Sequence, residues 1–230
     1  RAAVTDRDKR HAYRIMKKAG LPTPRIYDIR DYGQLQRLCG AGRSLYIKPV
    51  YGSMGKGITF LGSRGCYTNF VYRDSIVRSR PYDYNWRFTR IPKAATESFL
   101  RALIAKRFLF QEAIEKPIVD GREFDLRVYV VNDKVVYLYA KSAPASHFIT
   151  NWSQGGTIER PAFLRRALDR RTLEKIKLLA RKGARAFGLD YAGIDVLIDR
   201  RSGVPHLLEI HSFPGYERGF DLMRAVVDAV

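Results

Sequence analysis

The chain is short of negative charge: 23 Asp and Glu stand against 42 Lys and Arg, a formal net charge of +19 with a sequence pI near 10.1. Such a field disfavours a cationic partner and favours an anionic one, whether nucleotide, acidic peptide, nucleic acid or anionic lipid. The basic residues are scattered and form no single tail, so the average names none of these. Cysteine is also scarce. Cys39 and Cys66 stand alone, with neither metal-ligand spacing nor a disulfide framework, as expected of a reduced, cytoplasmic compartment. No apolar run approaches the ~20 residues of a membrane-spanning helix, and no Gly-Lys-Ser/Thr opens a helix, which excludes the Walker type of phosphate loop. The first residues, Arg1 to Lys9, lack an apolar signal region and an initiator Met. The sequence therefore reads as a piece of a longer chain, with a preceding domain missing. Repeats and low-complexity tracts are absent. What is present is globular: 46% hydrophobic and 12% aromatic over 230 residues, enough for one large domain or two packed lobes.

Hydrophobic spacing predicts a helix capped by Asp6 and running through Lys18, with Ala12, Ile15, Met16 and Ala19 on one face and Gly20 as its stop. Pro22 and Pro24 force an extended stretch, and a short helix from Asp31 to Cys39 follows. Leu45 to Val50, Ile58 to Leu61 and Cys66 to Tyr72 read as strands, Ala94 to Lys106 as a helix and Phe108 to Ile114 as a buried strand. Arg73 to Pro92 carries no clear pattern. In the second half, Phe124 to Val131 and Lys134 to Lys141 are strands joined at Asn132-Asp133, a turn-forming pair. Leu173 to Phe187 is an amphipathic helix ended by Gly188, and a last helix is expected from about Arg218 to Val230. This order implies an α+β chain of two lobes, residues 1–113 and 114–230, joined near Glu112 to Lys116.

The most informative segment is Gly193-Ile194-Asp195, followed by Glu209-Ile210-His211-Ser212-Phe213-Pro214-Gly215. Apolar runs on either side of the polar Asp199 to Gly203 form a hairpin that brings Asp195 beside Glu209. Two adjacent carboxylates repel unless a cation neutralises them, and oxygen donors suit Mg²⁺ or Mn²⁺. His211 shares the strand face of Glu209 by the two-residue period and is a third candidate ligand. The plain alternative is a solvated surface hairpin.

Three weaker constellations accompany it. Lys48 ends a strand and leads into Gly52-Ser53-Met54-Gly55-Lys56-Gly57, where glycines let the backbone approach a phosphate while Lys48 and Lys56 supply countercharge. Gln111-Glu112-Ala113-Ile114 closes a buried strand whose edge can pair with an adenine. Asp125 and Arg127 share a strand face. With Lys141 on the neighbouring strand, and Asn151 before Gly155-Gly156, they can hold anions, Arg127 through a bidentate fork.

The succession of a Lys with a glycine-rich hairpin, a Glu at the lobe junction, Asp-Leu-Arg at 125–127, Asn-x-x-x-Gly-Gly at 151–156, Ala-Gly-Ile-Asp at 192–195 and Glu-Ile-His-Ser-Phe-Pro-Gly at 209–215 resembles the ATP-grasp family over residues 6–230. Within that family it is most similar to the RimK-type glutamate ligases and the spore-associated YheC/YheD group. The resemblance implies an ATP-grasp fold, two α+β lobes with the nucleotide bound between them. It further implies that Lys48, Lys141 and the loop Gly52, Ser53, Gly55, Lys56, Gly57 bind phosphates, and that Gln111, Glu112 and Ile114 line the adenine pocket. Asp125 and Asn151 would lie at the nucleotide or substrate end, and Arg127 with Lys141 would be catalytic, Arg127 holding the acyl phosphate or acceptor carboxylate. Asp195, Glu209 and His211 would hold Mg²⁺, or Mn²⁺. The implied reaction is an ATP- and metal-dependent carboxylate–amine ligation through an acyl phosphate, with an amine or amino acid and a carboxylate, an acidic peptide being the acceptor that the basic surface favours.

Two residues depart from the pattern. The family's metal motif ends in Asn where this chain has His211, a poorer ligand for Mg²⁺ but a good one for Mn²⁺ or Zn²⁺. Ile149 stands where the glutamate ligases carry an Arg, and an apolar residue cannot hold a carboxylate, so glutamate as co-substrate does not follow. These departures motivate one competing reading, an ATP-grasp module that binds nucleotide without ligating. The charge, with the aromatics between Arg73 and Arg90, motivates another, a nucleic-acid-binding domain; it ranks below the ligase.

Overall fold

The computed structural model describes residues 8–52, 54–74, 76–80, 87–214, 224 and 227–228. Ser53, the expected cap Asp6 and most of the expected last helix, 218–230, lie outside these residues. The first helix, α1 (Lys9–Lys18), is capped by Asp8, whose side chain accepts from His11 N at 3.0 Å. It buries Ala12, Tyr13 and Met16. By its contacts the chain divides into one unit of residues 24–113 and another of residues 1–23 with 114–230. The sequence placed residues 8–23 with the 24–113 lobe; they pack instead in the other unit. The cause is local to the edge of that unit's sheet. Leu207 N donates to the Pro22 carbonyl at 2.8 Å, and the Tyr13 hydroxyl donates to the Leu208 carbonyl at 3.3 Å, so the first segment covers an otherwise open strand edge.

In the unit of residues 24–113 the order is β1 (Ile26–Tyr27), α2 (Tyr32–Gly40), β2 (Leu45–Lys48), β3 (Thr59–Gly62), β4 (Gly65–Thr68), β5 (Val71–Arg73), β6 (Ile76–Arg78), β7 (Thr89–Arg90), α3 (Lys93–Ala105) and β8 (Leu109–Glu112). Antiparallel pairing gives a sheet in the order β1-β8-β2-β3-β4-β7, with β5 and β6 as a separate hairpin. Leu35, Leu45, Ile47, Phe99, Leu103 and Phe110 are its most buried core residues. The single strand expected over Cys66 to Tyr72 is broken at Asn69-Phe70. The Asn69 side chain accepts from Ile58 N at 2.7 Å and donates to the Gly55 carbonyl at 2.7 Å, which turns the chain out of the sheet.

The other unit continues with β9 (Ile118–Val119), β10 (Arg122–Val131), β11 (Lys134–Pro144), a 3₁₀ turn (Trp152–Gln154), β12 (Thr157–Ile158), α4 (Pro161–Ala167), α5 (Arg170–Phe187), β13 (Tyr191–Ile198) and β14 (Pro205–His211). The sheet runs β12-β11-β10-β13-β14, with β9 on the end of β10. Asn132 and Asp133 both have positive φ, 43° and 62°, the two-residue geometry that matches the twist of a hairpin. Helix α4 was not expected; Pro161 in its first turn was the available signal. Helix α5 starts at Asp169, which accepts from Thr172 N at 2.6 Å, and stops at Gly188 in the left-handed conformation, φ 63°. It lies close on the sheet because position 183 is glycine: a Cβ there would stand 2.6 Å from Leu207 Cδ1, with Ile210 and Ile194 next nearest.

That packing assigns the two faces of the sheet. Cross-strand partners share a face, and Ile194 pairs with Ile210 on the side of α5. The pairs Asp195–Glu209, Gly193–His211, Arg127–Asp195 and Asp125–Lys141 therefore project together from the opposite face.

Candidate functional site

On that face six polar side chains from β10, β11, β13 and β14 meet. Arg127 donates to Asp195 through Nε at 2.7 Å and Nη2 at 3.1 Å, a bidentate fork. Lys141 Nζ donates to Asp195 Oδ1 at 2.9 Å and lies 3.1 Å from Asp125 Oδ1. His211 Nε2 is 3.2 Å from Asp195 Oδ2 and 3.8 Å from Glu209 Oε2. Ligand atoms of Asp195, Glu209 and His211 all lie within 4.8 Å of one another. The carboxylate pair read from the hairpin is thus brought together with its histidine.

Burial and charge work against each other here. Asp195 and Lys141 side chains are 7% and 9% exposed. Burial alone would push the Asp195 carboxyl up; Arg127 and Lys141, with His211, hold it well below the usual carboxylate range. Burial opposes the Lys141 charge, and Asp125 and Asp195 restore it to above the ordinary lysine value. Arg127 is likewise opposed by burial and raised by Asp195, so both cations are fully charged. Opposite Arg127 on β11 the Tyr139 hydroxyl is pushed up, chiefly by burial and then by Tyr129, and stays neutral.

Three residues at this site escaped the sequence reading. Lys9, from α1, lies 3.2 Å from Glu209 Oε1. Lys116 lies 3.7 Å from Asp125, and the buried Thr150 hydroxyl donates to Asp125 Oδ2. Lys9 reaches the site from a segment remote in sequence, whereas Lys116 and Thr150 come from the segments next to Asp125 and Asn151, where their residue types alone do not mark them. Asn151 is in the expected loop, where its carbonyl accepts from Gln154 N at 2.9 Å and Gly156 N at 3.0 Å; among the described residues its side chain has no hydrogen bond to the carboxylates. Gly156 fits only as glycine: a Cβ would stand 2.1 Å from the Thr150 carbonyl oxygen.

In the unit of residues 24–113, Lys48 Nζ donates to the buried Gln111 Oε1 at 2.6 Å, joining two candidates from different strands. Glu112 is paired with Arg43 at 2.9 Å. The loop after β2 has Gly55 and Gly57 at positive φ, 69° and 71°, and Asn69 holds it from beneath through the Gly55 carbonyl. That asparagine was also missed. Ile114 opens the other unit and is half-buried.

The fold is shared with solved ATP-grasp ligases. The ATP-grasp ligase PsnB, solved with a phosphomimetic variant of its minimal precursor, Mg and ADP, aligns at a TM-score of 0.57 with 18% identity, covering 99% of this chain and 60% of that one. D-alanine–D-alanine ligase from Bacillus anthracis aligns at 0.61 with 14% identity, covering 99% and 64%. At such identities the likeness is one of fold. The chain belongs to the YheC/D-like ATP-grasp family, whose model matches residues 7–225. Among curated relatives, tetrahydromethanopterin:alpha-L-glutamate ligase of Methanosarcina acetivorans is 28% identical over 194 residues, 83% of this chain and 49% of that protein. A probable alpha-L-glutamate ligase of Cellvibrio japonicus is 29% identical over 216 residues, 92% of this chain and 57% of that protein. The chain thus spans about half to three-fifths of the length of these relatives.

Proposed function

We propose that this chain is the catalytic portion of an ATP- and metal-dependent carboxylate–amine ligase. The observation that carries the reading is the gathering of Arg127, Lys141, Asp195, Glu209 and His211 on one sheet face. The family and the ligase relatives support it. Asp195, Glu209 and His211 fit a divalent cation by their donor atoms and spacing, and the cation would neutralise charge on the transferred phosphoryl group. The rest falls to the chain's own residues. Lys141 and Lys48 hold phosphate oxygens, and the loop from Gly52 to Gly57 offers backbone N–H groups. Gln111 and Glu112 meet the adenine, and Arg127 holds the acceptor carboxylate. A carboxylate oxygen attacks the γ-phosphorus and ADP leaves. An amine nitrogen then attacks the acyl carbon and phosphate leaves, so one ATP yields one amide, ADP and phosphate.

The basic surface favours an acidic acceptor, a peptide among them, and glutamate as the amine does not follow, because Ile149 cannot hold a carboxylate. ATP dependence and two free thiols, Cys39 and Cys66, support a cytoplasmic location. The test is ADP formation with Mg²⁺ and with Mn²⁺ across a pool of amino acids and acidic peptides. ADP release that needs both a carboxylate and an amine is expected. ATP binding with no ADP under any mixture, from a chain extended to the length of its relatives, would replace the ligase with a nucleotide-binding module. That second reading has one observation in its favour: Asp195 is already engaged by Arg127, Lys141 and His211.

A further inference from the structure

The ligase site itself accounts for little of the excess charge. At the site, Lys9, Lys116, Arg127 and Lys141 are nearly balanced by Asp125, Asp195 and Glu209. The +19 of the chain lies elsewhere. Its longest concentration is α5, whose sequence RRTLEKIKLLARKGARAF carries seven basic side chains and one acid; the shorter α1 carries five Lys and Arg and no acid in ten residues. The buried side of this helix is Ile176, Leu179, Ala180, Gly183, Ala184 and Phe187, against the sheet. On the outer side Arg171, Lys175, Leu178, Lys182 and Arg185 recur at steps of four, three, four and three, and all are exposed. That spacing places them in one row along the helix, roughly 21 Å long at 1.5 Å per residue.

The neighbouring acids are already committed. Glu174 is paired with Lys177, and Asp133 with Arg181 and Arg185. Asp169 caps the helix through Thr172 N. Among the described residues Arg171, Lys175 and Lys182 form no ion pair, and the exposed Arg165 and Arg170 extend the cationic surface at the helix start. Like charges set three and four residues apart destabilise a helix slightly, so the row costs the fold something.

We infer that the outer face of α5 binds the phosphate backbone of a nucleic acid, on the side of the sheet away from the ligase site. The chemistry of the row favours this partner over others. A protein interface is depleted of charge at its core and built on aromatic anchors, and a membrane-bound helix needs an apolar row to insert; here Leu178 is the one apolar residue in the row. Nucleic-acid interfaces are polar and strongly cationic, and a basic stripe along a helix is their electrostatic footprint. At 3.4 Å per nucleotide, 21 Å of helix spans about six phosphates of one strand.

The experiment is fluorescence anisotropy with a labelled duplex of about 20 base pairs and a single strand of equal length, titrated from about 50 mM salt upward. The triple variant Arg171→Gln, Lys175→Gln, Lys182→Gln is compared with a charge-matched control in the other unit, Arg37→Gln, Lys93→Gln, Lys106→Gln, all exposed positions. The α5 variant should bind at least about tenfold more weakly, and its log–log salt slope should fall by about three. The control should change less than about twofold. ATP binding by both variants reports that they are folded. Equal losses in variant and control would reduce the effect to diffuse charge and overturn the assignment. So would no binding of either nucleic acid at low salt, including the case where anionic lipid vesicles bind instead.

Discussion

Asp195 and Glu209 stand opposite each other in one hairpin, yet they carry different burdens. Asp195 is buried and is the counter-charge of two buried cations, Arg127 and Lys141. Replacing it by Asn keeps the shape but leaves those cations unbalanced. Breaking a buried pair in this way costs about 3 kcal/mol or more, so Asp195→Asn should lose stability in urea as well as activity. Glu209 is 29% exposed and pairs at the rim with Lys9. A partly exposed ion pair contributes less than a buried one, so Glu209→Gln should lose less stability than Asp195→Asn while metal-dependent ADP formation disappears. Equal unfolding midpoints for the two variants would contradict this division of roles. His211 sits between them. Imidazole suits Mn²⁺ better than Mg²⁺, so His211→Asn should move the metal preference for nucleotide binding toward Mg²⁺. An unchanged Mn²⁺-to-Mg²⁺ affinity ratio, measured by calorimetry, would remove His211 from the ligand set.

Single elements fix how well those residues are held. The loop from Ala145 to Gly156 returns on itself at Gly156, where a Cβ would meet the Thr150 carbonyl at 2.1 Å. Thr150 in turn donates to Asp125. Gly156→Ala must therefore displace the backbone that positions Asp125 and Lys141. It should raise KM for ATP at least about tenfold, a loss of about 1.4 kcal/mol in binding, while Tm falls little because the loop buries few apolar groups. A KM within twofold of wild type would show that Thr150 is not needed there. In α5 the cap is separable from the stripe: Asp169→Ala removes the bond to Thr172 N and should lower the urea midpoint with ATP binding intact. Local chemistry of this kind was what the sequence revealed best. The Asn132-Asp133 turn, the Gly188 stop and the Asp195/Glu209 hairpin all depend on neighbours a few residues away. The grip of Arg127 on Asp195 spans 68 residues and depends on the register of β10 against β13, which no local signal encodes. Asp125 and Arg127 could be placed on one face by their period, but their partners could not be named from it.

For the molecule as a whole, the part that was hardest to read is also long-range. Residues 8–23 look like the first helix of the lobe that follows them, yet Pro22 and Tyr13 tie them to the far end of the chain, and Lys9 reaches Glu209 from there. Nothing in the periodicity of α1 distinguishes packing against the next element from packing against the last. Global stability has a pH signature that follows from what the cores enclose. In the unit of residues 24–113, Cys66 is 3% exposed, and burial pushes its thiol up to about 12. In the unfolded chain the same thiol ionises near 8.5. A group whose pKa is raised on folding stabilises fully below the unfolded value, and that contribution is lost as pH rises toward the folded one. From pH 8.5 to 10 the loss from Cys66 is about 2 kcal/mol. Tyr13 and Tyr139, also raised by burial, add to it only from about pH 10 upward, where an unfolded tyrosine begins to ionise. Urea unfolding of wild type and of Cys66→Ala should therefore converge as pH rises from 8 to about 10, the wild type losing its advantage, and the wild type should go on losing relative to the variant above pH 10 while tyrosine ionisation lowers both. Parallel curves across the first interval would mean that the thiol ionises without opening the core, and that Cys66 is not the group that sets the alkaline limit.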